Sequence, residues 1–383
     1  MNGLAHTIML KRVSIQNFKS LKDVTLDLQK VNLLIGPNNS GKTNFLKALK
    51  FFDIAFWTAL SGKDYIEYHK SVAYKRGDLP TSFFIDAEDL DNNDIREYVF
   101  VIDSEQGLVT RYWDTKKEWS GRRSLPISKV DFNRDTLISS YLRLVKIYRP
   151  NPSKLTEPYP LLANSDSVEE DCSNIVSYLD TLQGKYTDEN FEDIRRDLTY
   201  CINEFSSIRF DTVDVPEDND LRKLYRDKTF KKLGLYNKLQ RLIYWSDELS
   251  EGTLYFLALL CIIHQPNPPK LLLLEEPERG IHPRRIWEVM KFIFQLAEEK
   301  DIQIILTSHN EHVVNAFSSM PEAVFVFDKD EEGATEVRNL QKDIIEPSHK
   351  KSEEFGLDKI DFTEDLGENW LYGLLGGVPT DND

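Results

Sequence analysis

The residues at positions 36–43, Gly-Pro-Asn-Asn-Ser-Gly-Lys-Thr, constrain the fold of this chain more than any other sequence feature. They match the pattern GxxxxGK[ST] in full, and they lie between an apolar run at 31–35 and a helical pattern over 43–52. In a strand, loop and helix of this kind, backbone N–H groups and the helix N-terminus surround phosphate oxygens. The segment therefore predicts a phosphate-binding loop, called the P-loop below, in an α/β fold.

Every residue of the P-loop is a candidate for nucleotide binding. These residues are Gly36, Pro37, Asn38, Asn39, Ser40, Gly41, Lys42 and Thr43. The Lys42 ammonium would reach the β- and γ-phosphates, and the Thr43 hydroxyl would ligate Mg²⁺. A glycine-rich turn between strand and helix is the structural alternative, but the order of the flanking elements favours the phosphate loop.

Two carboxylates follow a second apolar run. Leu271–Leu274 predicts a buried central strand, and Glu275 and Glu276 come directly after it. Ligands in open α/β sheets bind where the strands end. Glu275 would therefore hold the Mg²⁺ shell, and Glu276 would orient the attacking water or accept its proton. The alternative is a strand that ends in a solvated acidic turn.

Two shorter segments add candidates. His309 follows the predicted strand Gln303–Thr307, so it could donate a hydrogen bond to a γ-phosphate. Ser250 and Gly252 precede a helical pattern over 255–263, where a hydroxyl and an open backbone could meet a phosphate. The alternatives are a surface histidine and an ordinary helix N-cap.

Together these segments resemble the ATP-binding-cassette ATPase heads of the SMC/RecF group. The chain is similar to the overcoming-lysogenization-defect (OLD) type of AAA ATPase of bacterial anti-phage systems. The resemblance implies ATP and Mg²⁺ as ligands, with Lys42 in Walker A, Glu275 and Glu276 in Walker B, and His309 as switch histidine. Leu249–Thr253 matches the signature loop, although Glu251 stands where the family has a small residue. Glu275 likewise replaces the commoner Asp.

The resemblance also implies an architecture. We expect an ABC-type P-loop head with a mixed or parallel core sheet, an antiparallel β subdomain and an inserted helical lobe. The corresponding divisions are 1–125 for the Walker A lobe, 126–245 for the helical insertion, 246–345 for the signature and Walker B lobe, and 346–383 for a C-terminal tail. Asp328-Lys-Asp330 superficially resembles the DxD of a Toprim nuclease, but the last strands of the ATPase explain it better.

The charge distribution points to one candidate surface for an acidic partner. The net charge is 48 − 64 = −16. Residues 222–241 hold eight basic side chains against one acid, a net charge of +7, and the remainder carries −16 − 7 = −23. This segment is the candidate for contact with DNA or another nucleic acid. The alternative is a solvated helix face.

Composition indicates the compartment in which the protein resides. No apolar run approaches the ~18 residues of a membrane span, which predicts no membrane partner. The N-terminus lacks the pattern of a signal peptide, and Cys172, Cys201 and Cys261 are far apart. These features are typical of a cytoplasmic protein in a reducing compartment.

The resemblance implies a partner arrangement and leaves three functions open. In such heads the signature loop closes over the nucleotide of a second head, which predicts a homodimer with ATP between Lys42 of one copy and Ser250 of the other. Higher oligomers are compatible with this arrangement. The first function is an ATP-gated switch that controls a separate effector, a nuclease, in anti-phage defence. The alternatives are a RecF-like DNA-repair ATPase and a non-catalytic, ATP-held scaffold or sensor.

Overall fold

The computed structural model of the chain describes most of its residues. These are residues 8–57, 62–76, 79–91, 94–103, 107–114, 125–126, 138, 141–142, 145–163, 165–185, 189–279 and 281–378. The chain divides into two compact units. The first unit takes the chain up to Ile147, then Lys270–Glu276 and the chain from Leu296 onward, and the second takes Tyr148–Pro269 and Pro277–Gln295.

The elements alternate between strands and helices along most of the chain. The strands are β1 Ile8–Phe18, β2 Leu21–Asp27, β3 Val31–Ile35, β4 Thr81–Asp89, β5 Asp94–Asp103, β6 Gly107–Asp114, β7 Leu125–Pro126, β8 Ile147–Tyr148, β9 Tyr159–Pro160, β10 Phe205–Val213, β11 Phe230–Asn237, β12 Leu242–Trp245, β13 Leu271–Glu275, β14 Gln303–Thr307, β15 Val324–Lys329 and β16 Thr335–Asn339. The α-helices are α1 Lys42–Trp57, α2 Gly62–Val72, α3 Pro152–Leu155, α4 Ile175–Lys185, α5 Glu189–Cys201, α6 Asp220–Leu224, α7 Glu251–Ile263, α8 Pro283–Glu299, α9 Glu311–Asn315, α10 Glu346–Phe355 and α11 Leu366–Leu371. Short 3₁₀ or π turns occupy Tyr74–Arg76, Pro321–Ala323 and Leu340–Ile345.

The core of the first unit is a six-stranded sheet in the order β16-β15-β3-β14-β13-β8. Strands β15, β3, β14 and β13 run parallel to one another, and β16 runs antiparallel to β15. Every residue of β3, β13 and β14 is buried. This burial on both faces explains their nearly continuous apolar sequences. The strands expected at 31–35, 271–274 and 303–307 are confirmed.

A second sheet of the first unit is antiparallel, in the order β2-β1-β4-β5-β6-β7. Alternate residues of β1 are buried, which matches the alternating apolar sequence Leu10, Val13 and Ile15 after a register shift between Leu10 and Arg12. The buried Gln303 side chain accepts a hydrogen bond from the N–H of Leu10 at 3.0 Å and donates one to its carbonyl at 2.9 Å. These bonds fix β1 to the first residue of β14, so the two sheets share one core.

The second unit combines helices with an antiparallel sheet of β10, β11, β12 and the short β9. The sequence predicted a mainly helical lobe over 126–245, and β10–β12 depart from that expectation. Helix α7 lies at the centre of this unit, because twelve consecutive residues from Gly252 to Ile263 are buried. Among the described helices, none has the length and apolar character required to cross a membrane.

Candidate functional site

The P-loop backbone depends on glycine at two positions. Gly36 has φ +142°, and a Cβ there would lie 2.2 Å from the carbonyl oxygen of Phe327 on the neighbouring β15. Gly41 has φ +112°, and a Cβ there would lie 2.1 Å from the Oγ1 of Thr335. Any side chain would combine unfavourable dihedral angles with a clash. Both glycines of the pattern are therefore structurally required.

Lys42 is turned back onto the loop that precedes it. Its Nζ donates to the carbonyl oxygens of Gly36 and Pro37, both at 2.8 Å, and to the Ser40 Oγ at 3.4 Å. Only 5% of the residue is exposed. Burial lowers the pKa of Lys42 to about 8, although the carboxylates of Glu276 and Glu275 raise it. Lys42 is thus a buried cation held by neutral carbonyls, suited to exchange them for an anionic ligand.

The start of α1 and the end of β13 meet through a direct hydrogen bond. The Thr43 hydroxyl donates to Glu275 Oε1 at 2.6 Å, and Glu275 is buried. A hydroxyl and a carboxylate are oxygen ligands of the kind that Mg²⁺ prefers. The described residues contain no group of three His, Cys, Asp or Glu side chains that could hold a metal alone. The pair therefore fits a Mg²⁺ ion that also takes oxygens from a phosphate and from water.

Glu276 adopts a backbone conformation that is unfavourable for a non-glycine residue. Its φ is +50°, and its N–H donates to the carbonyl oxygen of Thr307 on β14 at 3.0 Å. The left-handed region costs roughly 1–2 kcal/mol for an L-residue with a Cβ. Such strain persists where the surroundings impose it and is frequent at functional sites. The Glu276 side chain is partly exposed.

His309 lies beside Glu276. Its Nε2 is 3.8 Å from Glu276 Oε1, and about a third of its side chain is exposed. Burial, followed by the nearby Lys42 charge, lowers the pKa of His309, while Glu276 and Glu275 oppose the shift. The imidazole is therefore mainly neutral near pH 7, with one N–H available for donation. The structure thus brings together Lys42, Thr43, Glu275, Glu276 and His309.

Sequence reasoning missed a brace beneath the P-loop. The Thr335 hydroxyl is 2.8 Å from both the Ser40 carbonyl oxygen and the Ser20 Oγ. The Asn44 side chain donates to the same Ser20 oxygen at 2.9 Å. Ser20 lies in the turn between β1 and β2. The contacts join residues up to 315 positions apart, so no local sequence pattern predicts them.

The signature loop belongs to the second unit. Ser250 is the N-cap of α7, and its Oγ accepts a hydrogen bond from the Thr253 N–H at 3.2 Å. Ser250 is exposed and Gly252 is buried. A Cβ at Gly252 would lie 3.5 Å from the Arg285 Cδ, an ordinary contact. The ordinary capping role is therefore present, and it leaves the start of a thirteen-residue helix at the surface.

The basic segment 222–241 does not form the helix face considered as its structural alternative. It contains the end of α6 and the whole of β11. Lys231 Nζ pairs with Asp180 at 2.6 Å, and Lys223 Nζ pairs with Asp220 at 3.1 Å. Within the described part of the chain, the six other basic side chains of the segment form no ion pair with a carboxylate. They are Arg222, Arg226, Lys228, Lys232, Lys238 and Arg241.

Comparisons with known proteins place this geometry in a family. Residues 31–315, well over half of the chain, match the family described as "AAA domain, putative AbiEii toxin, Type IV TA system". The chain is 21% identical over 350 residues to the OLD nuclease of Thermus scotoductus. That match covers 79% of this chain and 59% of the relative. The chain therefore spans less than two thirds of this relative's length.

Solved structures show the same fold at low sequence identity. The SMC head domain from Thermotoga maritima has a TM-score of 0.52 and 12% identity, with 86% of this chain and 98% of that chain covered. The Smc head domain from Pyrococcus furiosus, solved bound to the C-terminal domain of ScpA, also gives 0.52 and 12%, with 91% and 100% covered. These similarities confirm the predicted α/β head fold.

The lowered pKa of Lys42 predicts a pH-dependent affinity for ATP. The triphosphate favours the protonated ammonium, so binding above pH 8 must be accompanied by proton uptake. We expect ATP affinity to fall as pH rises from 8 to 9, by at most about tenfold. Calorimetry in two buffers of different ionisation enthalpy measures both affinity and proton uptake. Lys42→Arg, which stays charged, is the matched control, and a wild-type affinity equal at pH 7 and pH 9 would contradict the prediction.

Proposed function

The chain belongs to this AAA-domain family, and from that premise we propose that it binds ATP at the P-loop and hydrolyses it. One observation carries the proposal. Thr43 contacts Glu275 at 2.6 Å, and Glu276 lies 3.8 Å from His309 beside the buried Lys42. Lys42 supplies a cation for the phosphates, and Thr43 and Glu275 supply two oxygen ligands for Mg²⁺. Glu276 supplies a carboxylate base and His309 a neutral hydrogen-bond donor. ATP hydrolysis uses groups of these kinds together.

Each residue has a distinct task in this proposal. The P-loop N–H groups and Lys42 bind the phosphates, with Lys42 exchanging the Gly36 and Pro37 carbonyls for phosphate oxygens. Thr43 and Glu275 would hold Mg²⁺, which supplies charge neutralisation at the phosphates. Glu276 orients the attacking water and accepts its proton. His309 donates its N–H to the γ-phosphate and so reports whether that phosphate is present.

Replacing Glu276 separates hydrolysis from binding. In Glu276→Gln the side-chain size is kept but the base is lost, so turnover should fall by at least about 100-fold. ATP should still bind, and the dimer formed with ATP should last longer. Steady-state phosphate release and a nucleotide-binding titration measure the two effects.

Glu354→Gln is the matched control, since it removes an exposed carboxylate from α10 and should leave turnover unchanged. Unaltered turnover in Glu276→Gln would show that Glu276 is not the base. Turnover that is negligible in the wild type would favour the non-catalytic scaffold instead.

We further propose that two copies share each ATP. Ser250 caps an exposed helix N-terminus, where N–H groups and the helix dipole favour a phosphate. The family resemblance implies that this loop closes over the nucleotide of a second copy, which supports the proposal. ATP and Mg²⁺ would then hold the dimer together, and hydrolysis would loosen it, which makes an ATP-gated switch.

Mixing two inactive variants tests the shared site. Lys42→Ala removes the phosphate cation, and Ser250→Asp keeps an efficient N-cap but brings a negative charge to the phosphate. In a mixed dimer, one site carries both changes and the other carries neither. A random 1:1 mixture should therefore recover about a quarter of wild-type turnover.

Ser250→Asn is the matched control, because it retains the cap without the charge and should keep more turnover than Ser250→Asp. A mixture with no recovered turnover would mean that each chain completes its own site, and would reject the shared arrangement.

The biological role is proposed from the kind of relative. One relative is named an OLD nuclease, and the family description refers to a toxin system. We therefore propose that the ATP switch controls an effector, a nuclease, in defence against phage. The RecF-like repair function remains the alternative. Co-purification from the native operon, with the assembly mass measured with and without ATP, identifies the effector.

Nucleic acid is a second candidate ligand, favoured by the cations of segment 222–241 that lack acidic partners. Arg226, Lys228, Lys238 and Arg241 are all exposed. Lys232 Nζ lies 4.4 Å from the centre of the Trp245 ring, so an aromatic surface adjoins the charges. Exposed cations of this kind bind phosphate backbones by releasing counterions.

Neutralising Lys228 and Lys238 should weaken DNA binding and reduce its salt dependence by about one unit of slope per lysine. Fluorescence anisotropy at several salt concentrations, with single-stranded and duplex probes, provides the measurement. Lys350→Gln with Lys351→Gln removes the same charge from α10 and should have no effect. Equal slopes for the two double variants would exclude segment 222–241 as the contact.

A further inference from the structure

Residues 366–378, called the closing segment, pack onto the first unit although they lie far along the sequence from its P-loop. The segment begins with α11 and continues through Tyr372–Val378. Leu366, Trp370 and Leu375 are buried, so its inner side belongs to the core. Both of its ends contact elements that carry residues of the candidate ATP site.

The first contact is with the P-loop itself. Gly377 has φ +65°, and a Cβ there would lie 3.4 Å from the Cα of Gly36 and 2.6 Å from the Cγ1 of Val326. Only glycine permits both this backbone conformation and this close approach. Gly36 is also the residue whose carbonyl oxygen accepts the Lys42 ammonium at 2.8 Å. Gly377 therefore contacts the residue whose carbonyl oxygen holds the Lys42 ammonium.

Hydrogen bonds fix Gly377 in this position. Its N–H donates to Asp328 Oδ2 at 3.2 Å, and its carbonyl oxygen accepts from Trp370 Nε1 at 3.1 Å. Arg338 Nη2 donates to the Leu375 carbonyl oxygen at 3.2 Å. Asp328 therefore serves to hold the closing segment, which explains the carboxylate that resembled part of a nuclease motif.

The second contact is with the helix that follows His309. The Gly367 N–H donates to Asn315 Oδ1 at 2.7 Å, and a Cβ at Gly367 would lie 2.5 Å from the Glu311 carbonyl oxygen. Glu311 and Asn315 are the first and last residues of α9. Asn310, next to His309, caps this helix by accepting from the His312 N–H at 2.9 Å.

We propose that the closing segment is a positioning element of the ATP site, which couples the P-loop to the segment carrying His309. Gly377 limits the position of Gly36, and α11 limits the position of α9. When phosphate replaces the Gly36 and Pro37 carbonyl oxygens as the hydrogen-bond partner of Lys42, the P-loop can shift. Such a shift would be transmitted through the closing segment to the segment that carries His309. The proposal rests on the proposed ATP binding, and it assigns a role to residues outside the Walker A, Walker B and signature motifs.

A pair of glycines separates positioning from stability. Gly377 and Gly356 have nearly the same φ, +65° and +64°, but a Cβ at Gly356 would have nothing within 4 Å. Alanine therefore imposes similar backbone strain at both positions, but only the Cβ of Gly377→Ala would meet neighbours, with a clash at the Val326 Cγ1 and a contact at the Gly36 Cα. We expect Gly377→Ala to weaken ATP affinity by about tenfold or more and to change kcat relative to KM, since small misplacements are costly at such sites. Gly356→Ala should lower the Tm without changing either quantity.

Trp370→Phe provides a second variant that keeps an aromatic ring but removes the Nε1 donor to Gly377. Its affinity should fall in the same direction, by a smaller factor. Titration with a fluorescent ATP analogue, below the Tm of each variant, measures affinity independently of turnover. Affinities equal to wild type in both Gly377→Ala and Trp370→Phe would overturn the positioning role and leave ATP binding intact. A wild-type protein that fails to bind the analogue would instead overturn the proposed function.

Discussion

The parallel pairing of β3, β14 and β13 is the constraint on which the candidate site depends. Because these strands point in the same direction, their carboxyl ends deliver the P-loop, the Thr307–His309 segment and the Glu275–Glu276 pair to one edge of the sheet. The Glu276 N–H then bonds to the Thr307 carbonyl oxygen and so fixes the position of each strand's last residues. The sheet therefore determines where the candidate site residues lie.

The site residues and the core strands could be predicted because their signals are local. A run of four or five mostly apolar residues, followed by glycine or by two carboxylates, indicates a strand end at an α/β sheet edge. The sheet formed by β10–β12 gave a weaker signal, since Lys231 and Lys232 interrupt the apolar alternation of β11. The Ser20–Thr335 brace and the Gly377–Gly36 approach were not predictable, because they join residues that are far apart in the sequence and meet only after the fold has formed.

The candidate site stores unfavourable energy before any ligand arrives. Lys42 keeps a largely desolvated charge that two carbonyls, the Ser40 hydroxyl and the nearby carboxylates compensate only in part, and Glu276 keeps a left-handed backbone. Neither the buried charge nor the left-handed backbone stabilises the folded state by itself. Both become useful if an anion takes the place of the carbonyls, because the charge is then neutralised without a large rearrangement. The free energy for holding both features comes from the surrounding structure, namely the Ser20–Thr335 brace and the buried parallel strands.

The division of the chain between its two units has a consequence for how the protein is made. The chain passes between the units four times, and Thr43 must pair with Glu275, which is 232 positions later. On the ribosome, the P-loop emerges long before β13 and β14 can flank it. Helix α1 and its loop must therefore remain without their sheet neighbours while the whole second unit is being synthesised, a situation in which unpaired strands are exposed to misfolding and chaperones.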